Sequence, residues 1–176
     1  MLASIGIEAT EVRTAAELRS VDALIIPGGE SSAMSRLMQR ERLDVRIAER
    51  VADGMALMGT CAGAILMSRG IENAIAGQTS LDLIDIDIVR NAYGRQVDSF
   101  ESEVGFTPAA GGTVSGVFIR APRISRIGDG VTAVGYHRGE VVAVERDRML
   151  ACTFHPELTD DASVHRYFVE TVATRG

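Results

Sequence analysis

The stretch Gly59-Thr60-Cys61-Ala62-Gly63 constrains this chain more than any other. A short apolar run, Ala56–Gly59, precedes the cysteine and reads as a buried strand. Ala62 to about Arg69 follows and reads as a helix. A nucleophilic side chain between two glycines at a strand–turn–helix junction has the form of a nucleophile elbow. The turn is sharp, so side chains at the flanking positions would clash with the strand and the helix. Cys61 then stands at the positive end of a helix dipole, which favours the thiolate. The nearby Ala62 N–H is placed to stabilise an oxyanion. The ordinary role of a free cysteine is that of a small buried hydrophobe. Cys152, inside the apolar run Met149–Phe154, fits that role; the glycines and the turn set Cys61 apart.

The first half of the chain alternates strand and helix signals. Asp22–Pro27 is a short apolar strand ended by Pro-Gly-Gly. Ser32 to about Asp53 reads as helical, with Met34, Leu37 and Met38 on one face and Leu43, Ile47 and Val51 on another. Such repetition predicts a parallel sheet covered by helices, an α/β fold. The second half changes period. Ile84, Ile86 and Ile88 alternate with Asp85 and Asp87. Val114–Arg120, Val131–Tyr136, Glu140–Glu145 and Met149–Phe154 are further strands, with Gly-rich turns between them, and Ser163–Ala173 closes as a helix. The 176 residues are expected to form one domain spanning the whole chain.

Composition narrows the function. The formal charge is −6, which argues against clustered Lys/Arg for nucleic acid or anionic membranes. No apolar run approaches the roughly 20 residues of a membrane span, and no secretory signal is visible. Only two cysteines occur, so a reducing, cytoplasmic location with a working thiol is expected.

Phe154-His155-Pro156-Glu157 ends a late strand. A thiol nucleophile needs a base to take its proton and an acid to serve the leaving group. A histidine at a strand's carboxyl end reaches the sheet edge where α/β folds form their sites. Glu157 can accept the far imidazole proton and fix the tautomer. Of the other histidines, His137 falls next to a hairpin turn and is expected in solvent; His165 in the last helix has no acidic neighbour at useful spacing except Asp161.

Pro27-Gly28-Gly29-Glu30-Ser31-Ser32 follows the first strand. Gly28 and Gly29 allow close backbone approach to a ligand and offer a second oxyanion donor. Glu30 suits the ammonium group of an amino acid, while Ser31 or Ser32 could simply cap the next helix. The chain contains no lysine, which excludes a P-loop or a Schiff base. Arg90 and Arg120 end strands and suit a carboxylate.

Taken together, Pro27–Ser31, Gly59–Gly63 and Phe154-His155-Pro156-Glu157-Leu158 resemble the class I glutamine amidotransferases. Arg90-Asn91-Ala92-Tyr93-Gly94-Arg95-Gln96-Val97-Asp98-Ser99-Phe100-Glu101 and Gly116–Pro122 are similar to the glutaminase subunit of pyridoxal 5'-phosphate synthase. The resemblance implies a three-layer, flavodoxin-like α/β fold with a mainly parallel sheet. It implies Cys61 as nucleophile, His155 as acid–base and Glu157 as its orienter. Gly28, Gly29, Glu30, Arg90, Ile119 and Arg120 would bind L-glutamine, with Gly29 and Ala62 at the oxyanion. Neither cofactor nor metal is implied. The implied partner is an oligomeric lyase subunit with a (β/α)₈ barrel, which receives the ammonia for vitamin B6 synthesis. Family members begin with a further strand, so a missing N-terminal strand is expected. The alternatives are an amidotransferase of another pathway, or a non-catalytic protein of the same fold.

Overall fold

The computed structural model describes residues 1–90, 92 and 99–175. Of the Arg90–Glu101 stretch, residues 91 and 93–98 lie outside the described residues. The described elements run α1 (Ala15–Leu18), β1 (Ala23–Ile26), α2 (Ser31–Arg40), α3 (Leu43–Ala52), β2 (Ala56–Thr60) and α4 (Ala62–Met67). They continue with β3 (Ser68–Glu72), β4 (Ile84–Val89), β5 (Phe100–Phe106), β6 (Thr113–Phe118) and β7 (Arg123–Ile127). Last come β8 (Thr132–His137), β9 (Glu140–Arg146), β10 (Met149–Cys152) and α5 (Ser163–Glu170).

One sheet has the order β1-β2-β10-β9-β8-β5-β6, and a smaller one the order β3-β4-β7. In the large sheet the parallel pairing is confined to β1 with β2 and β2 with β10. From β10 onward every pairing is antiparallel, as the period-of-two second half requires. The layered α/β plan is the expected one, but the large sheet is parallel only across β1, β2 and β10 and not for the most part.

Both faces of the large sheet are covered, and alternation along its strands shows it. Ala56 and Met58 of β2, with Leu150 and Cys152 of β10, face a core shared with Phe118, Phe154, Val164 and Phe168. Leu57, Met149 and Ala151 face the other core, with Ile65, Leu66, Met67 and the isoleucines Ile84, Ile86 and Ile88. Such double-sided burial is why β2 and β10 read as continuous apolar runs.

The helix expected from Ser32 to Asp53 is two helices. Met38 and Leu43, which both pack on the core, are five residues apart, roughly 140° around one helix, so one straight helix cannot turn both toward it, and Leu37 is left exposed. Arg42, at φ 56, breaks the run and lets Leu43, Ile47 and Val51 reach the core. The helix after Cys61 stops at Met67 and passes into β3, an element the sequence reading missed, as it missed β5 and β7. The closing helix ends at Glu170 and continues as a 3-10 turn over Val172–Thr174. No helix among the described residues is long and apolar enough to cross a membrane.

Candidate active site

Cys61 sits between β2 and α4 at φ 50, ψ −103, a backbone conformation that strains a residue with a side chain. Its neighbours explain how the chain holds it. A Cβ on Gly59 would lie 2.6 Å from the Gly63 carbonyl carbon, and one on Gly63 would lie 2.0 Å from the Ile26 carbonyl oxygen. Both glycines are therefore required by packing. The Cys61 N–H donates to the Cys152 carbonyl at 2.8 Å, tying the elbow to β10. Ala62 begins α4, and the first-turn amides of a helix have no partner within it.

His155 lies just beyond β10. It is pinned by paired backbone hydrogen bonds: its N–H donates to Val117 at 2.8 Å and its carbonyl accepts from Val117 at 3.2 Å. Its Nδ1 is 2.8 Å from Glu157 Oε1, which leaves Nε2 for Cys61. The imidazole pKa is pushed up to about 9, first by its hydrogen bond with Cys61 and then by that with Glu157, against the effect of burial. The Cys61 thiol also lies 3.9 Å from the Ile119 carbonyl, a weak contact beside the imidazole. Burial works to raise the Glu157 carboxyl, but the hydrogen bond from His155, the group's own backbone amide and the charges of His155 and His165 together outweigh it and hold the group below the usual carboxylate range. Thr60 Oγ1 donates to the same Oε1 at 3.4 Å.

These groups open onto a cavity of about 280 Å³ lined by Gly29, Glu30, Ser31, Cys61, Ala62, Ile65, Arg90, Ile119, Arg120 and His155. Gly28 is set behind it, against the imidazole. Of the expected site residues, the structure therefore brings Gly29, Glu30, Cys61, Ala62, Arg90, Ile119, Arg120 and His155 to one cavity, with Gly28 and Glu157 supporting His155. Arg120 is held at φ 42, which turns the chain sharply at the end of β6. Arg90, its side chain only 10% exposed, donates to Glu30 Oε1 at 3.1 Å. A second hollow of about 310 Å³, over Arg123–Ile127 and Glu140–Val141, contains no thiol or histidine.

Several expectations change. Glu30, not Ser31 or Ser32, caps α2: its carboxylate accepts from the Ser32 N–H at 3.3 Å and the Ala33 N–H at 2.7 Å. The Ser32 hydroxyl, then these amides, hold the Glu30 carboxyl below its ordinary range. His137 is buried rather than solvated, its ring 4.9 Å from that of Phe118 and its Nδ1 3.3 Å from the Glu103 carbonyl. His165 is buried as well. Cys152 is fully buried in the core, and burial pushes its thiol pKa far up. Ser31 and Ile65 line the cavity and were not singled out as ligands. Ile65 stands one turn beyond Cys61 on α4, so helical spacing was the available signal. Among the described residues, no group of three or more His, Cys, Asp or Glu is arranged to hold a metal.

The profile of the SNO glutamine amidotransferase family matches residues 1–174. The chain is 43% identical to the pyridoxal 5'-phosphate synthase subunit PdxT of Thermotoga neapolitana, over 97% of this chain and 90% of that protein. It is 49% identical to PdxT of Mycobacterium sp. (strain JLS), over 98% of this chain and 84% of that protein. It is also similar to a solved glutamine amidotransferase, with a TM-score of 0.91 and 42% identity, covering 98% of this chain and 89% of the other.

Proposed function

The chain belongs to the SNO glutamine amidotransferase family, and from that premise we propose that it is the glutaminase subunit of a pyridoxal 5'-phosphate synthase, with Cys61, His155 and Glu157 as its triad. It hydrolyses L-glutamine to L-glutamate and ammonia, and the ammonia passes to a lyase subunit. The single observation carrying the triad is the strained Cys61 at the mouth of a cavity that also holds His155, itself bonded to Glu157 at 2.8 Å.

The chemistry follows from the positions. Cys61 Sγ attacks the side-chain amide carbon of glutamine while His155 Nε2 takes the thiol proton. Negative charge gathers on the amide oxygen, where the backbone N–H groups of Ala62 and Gly29 are the donors. His155 then protonates the departing nitrogen, ammonia leaves, and a thioester remains on Cys61. A water, deprotonated by the same imidazole, attacks the thioester and releases glutamate. Glu157 stays ionised throughout and keeps Nε2 directed at sulfur and water. Glu30 takes the α-ammonium of glutamine, and Arg90 and Arg120 take its α-carboxylate.

The partner is a lyase subunit of (β/α)₈-barrel form, assembled as an oligomer. The proposed setting is the cytoplasm. The test is ammonia release from glutamine by this chain mixed with such a lyase subunit. Cys61→Ala should abolish it; release at the wild-type rate would overturn the mechanism.

A further inference from the structure

Glu157 is held at only one of its two oxygens. Oε1 lies 2.8 Å from His155 Nδ1 and accepts from Thr60 Oγ1 at 3.4 Å. Oε2 is buried and has no hydrogen-bond partner among the described residues. A buried carboxylate oxygen without a donor is costly, and the terminal torsion of a glutamate is broad and soft. A carboxylate fixed at one oxygen alone can therefore turn, and the imidazole it orients turns with it.

A donor stands on the same side of the sheet. His165 of α5 is only 3% exposed, and its Nδ1 is buried without a partner among the described residues. Two other buried side-chain oxygens there lack partners, Asp44 Oδ1 and Gln78 Oε1. They belong to α3 and to the segment before β4, which pack into the core of Ile47, Leu81 and Ile84. Helix α5 packs into the opposite core through Val164 and Phe168, beside Phe154, the neighbour of His155. Asp161, the acidic residue near α5, is already committed: it accepts from the Ser163 N–H at 2.9 Å and the Ser115 N–H at 3.0 Å. Of the unfilled acceptors, Glu157 Oε2 is thus the one on the His165 side. The two residues also act on each other through charge, Glu157 favouring a protonated His165 and His165 an ionised Glu157. Burial nevertheless lowers the His165 pKa, with Glu157 pulling against it and the Met1 ammonium adding to it. At neutral pH the ring is uncharged and carries one N–H, which settles on the nitrogen that faces an acceptor.

We propose that His165 is a positioning residue for the triad: its Nδ1–H serves Glu157 Oε2, directly or through one bridging water, while Oε1 serves His155. This rests on the reading of Cys61, His155 and Glu157 as a triad. With a donor at each oxygen the carboxylate plane is fixed, and His155 Nε2 stays aimed at Cys61. His165 does not line the cavity, so it acts on the rate and not on glutamine binding.

The test compares wild type with His165→Leu, His165→Asn and His165→Gln in the complex with the lyase subunit. Leu fills the space with no donor. Asn returns an N–H near the place of Nδ1, whereas Gln is equally polar but carries its amide toward the place of Nε2. His165→Leu should lower kcat about tenfold, the loss typical of one hydrogen bond to a charged group, with KM within about twofold. His165→Asn should recover kcat to within about threefold of the wild type, and His165→Gln should not. In a Glu157→Gln background, His165→Leu should change kcat by less than about twofold, because no carboxylate remains to be held. The proton NMR signal of the His155–Glu157 hydrogen bond should move in His165→Leu and return in His165→Asn, a readout that needs no turnover. Wild-type kcat in His165→Leu, equal kcat in the Asn and Gln variants, or the full loss in the Glu157→Gln background would each overturn the assignment. Inactive wild-type complex would instead count against the glutaminase reading, and the NMR signal would still decide the role of His165.

Discussion

A Cβ on Gly28 would lie 2.2 Å from Cε1 of His155, so the backbone of the first glycine loop is packed against the His155 imidazole. The contact joins residues from opposite ends of the chain. It makes Gly28 a determinant of where His155 points, quite apart from any flexibility a glycine brings.

Gly28→Ala should therefore damage catalysis before stability. The added methyl has to displace the imidazole or the loop, and a displacement near 1 Å at a reacting group costs on the order of 100-fold in rate. Glutaminase assays of the complex should show kcat down by about that factor. Far-UV circular dichroism should remain that of the wild type. A variant of undiminished kcat would show that the loop can retreat without cost.

Glu157→Gln should lower kcat by about 10³ to 10⁴-fold, because the amide cannot hold the same imidazole tautomer or balance its charge. The shift on His155 also predicts a pH dependence of stability. Its folded pKa, pushed up to about 9 by Cys61 and Glu157, exceeds its unfolded value near 6.5. The stabilisation is thus complete below about pH 6.5 and is lost as pH rises through about 9. Thermal melts should show the wild type losing about 3 °C more than His155→Gln between pH 7 and 10. Parallel melting curves across that range would contradict the linkage.

Glu30 has two tasks, capping α2 and facing the cavity beside Arg90, and they can be separated. Glu30→Ser retains a good capping residue but removes the charge. Its melting temperature should stay within about 2 °C of the wild type, whereas KM for glutamine should rise at least about tenfold. Equal KM values would remove Glu30 from the binding site.

The two thiols should differ sharply in reactivity. Cys61 opens to the cavity, while Cys152 is fully buried with its pKa driven up by desolvation. Iodoacetamide on the native chain should label one cysteine, identified as Cys61 by peptide mass mapping. Cys61→Ala should take up no label until it is denatured. Rapid labelling of native Cys152 would contradict its place in the core.

Much of the site was legible because its motifs are local. The Gly59–Gly63 elbow depends on glycines within two residues of Cys61, and the His155–Glu157 bond spans two residues of one turn. The Ile84, Ile86, Ile88 alternation marked β4 for the same reason. The misses have physical causes too. β7 is mostly exposed and is held against β4 by Arg126, which bonds Asp85 at 2.6 Å and Asp87 at 2.5 Å across the strands. No apolar period marks such a strand. β5 did carry a signal, since Val104 and Phe106 are buried while Glu101 and Glu103 are exposed. His137 was expected in solvent because its turn is polar; aromatic rings distant in sequence enclose it.

What the sequence by itself determined is the chemistry: a thiol on a turn only glycines permit, and an imidazole with its carboxylate two residues on. Both follow from backbone sterics and hydrogen bonds of short reach. What only the tertiary structure decided is the company those groups keep. Strand order puts β2 between β1 and β10, and this sets Cys61, the Gly28–Ser31 loop and His155 at one edge. The approach of Gly28 to His155, the pairing of Arg90 with Glu30 and the contact of Gln78 with Ser31 arise between distant segments. No local pattern encodes such contacts, because they exist only once both cores have closed around the sheet.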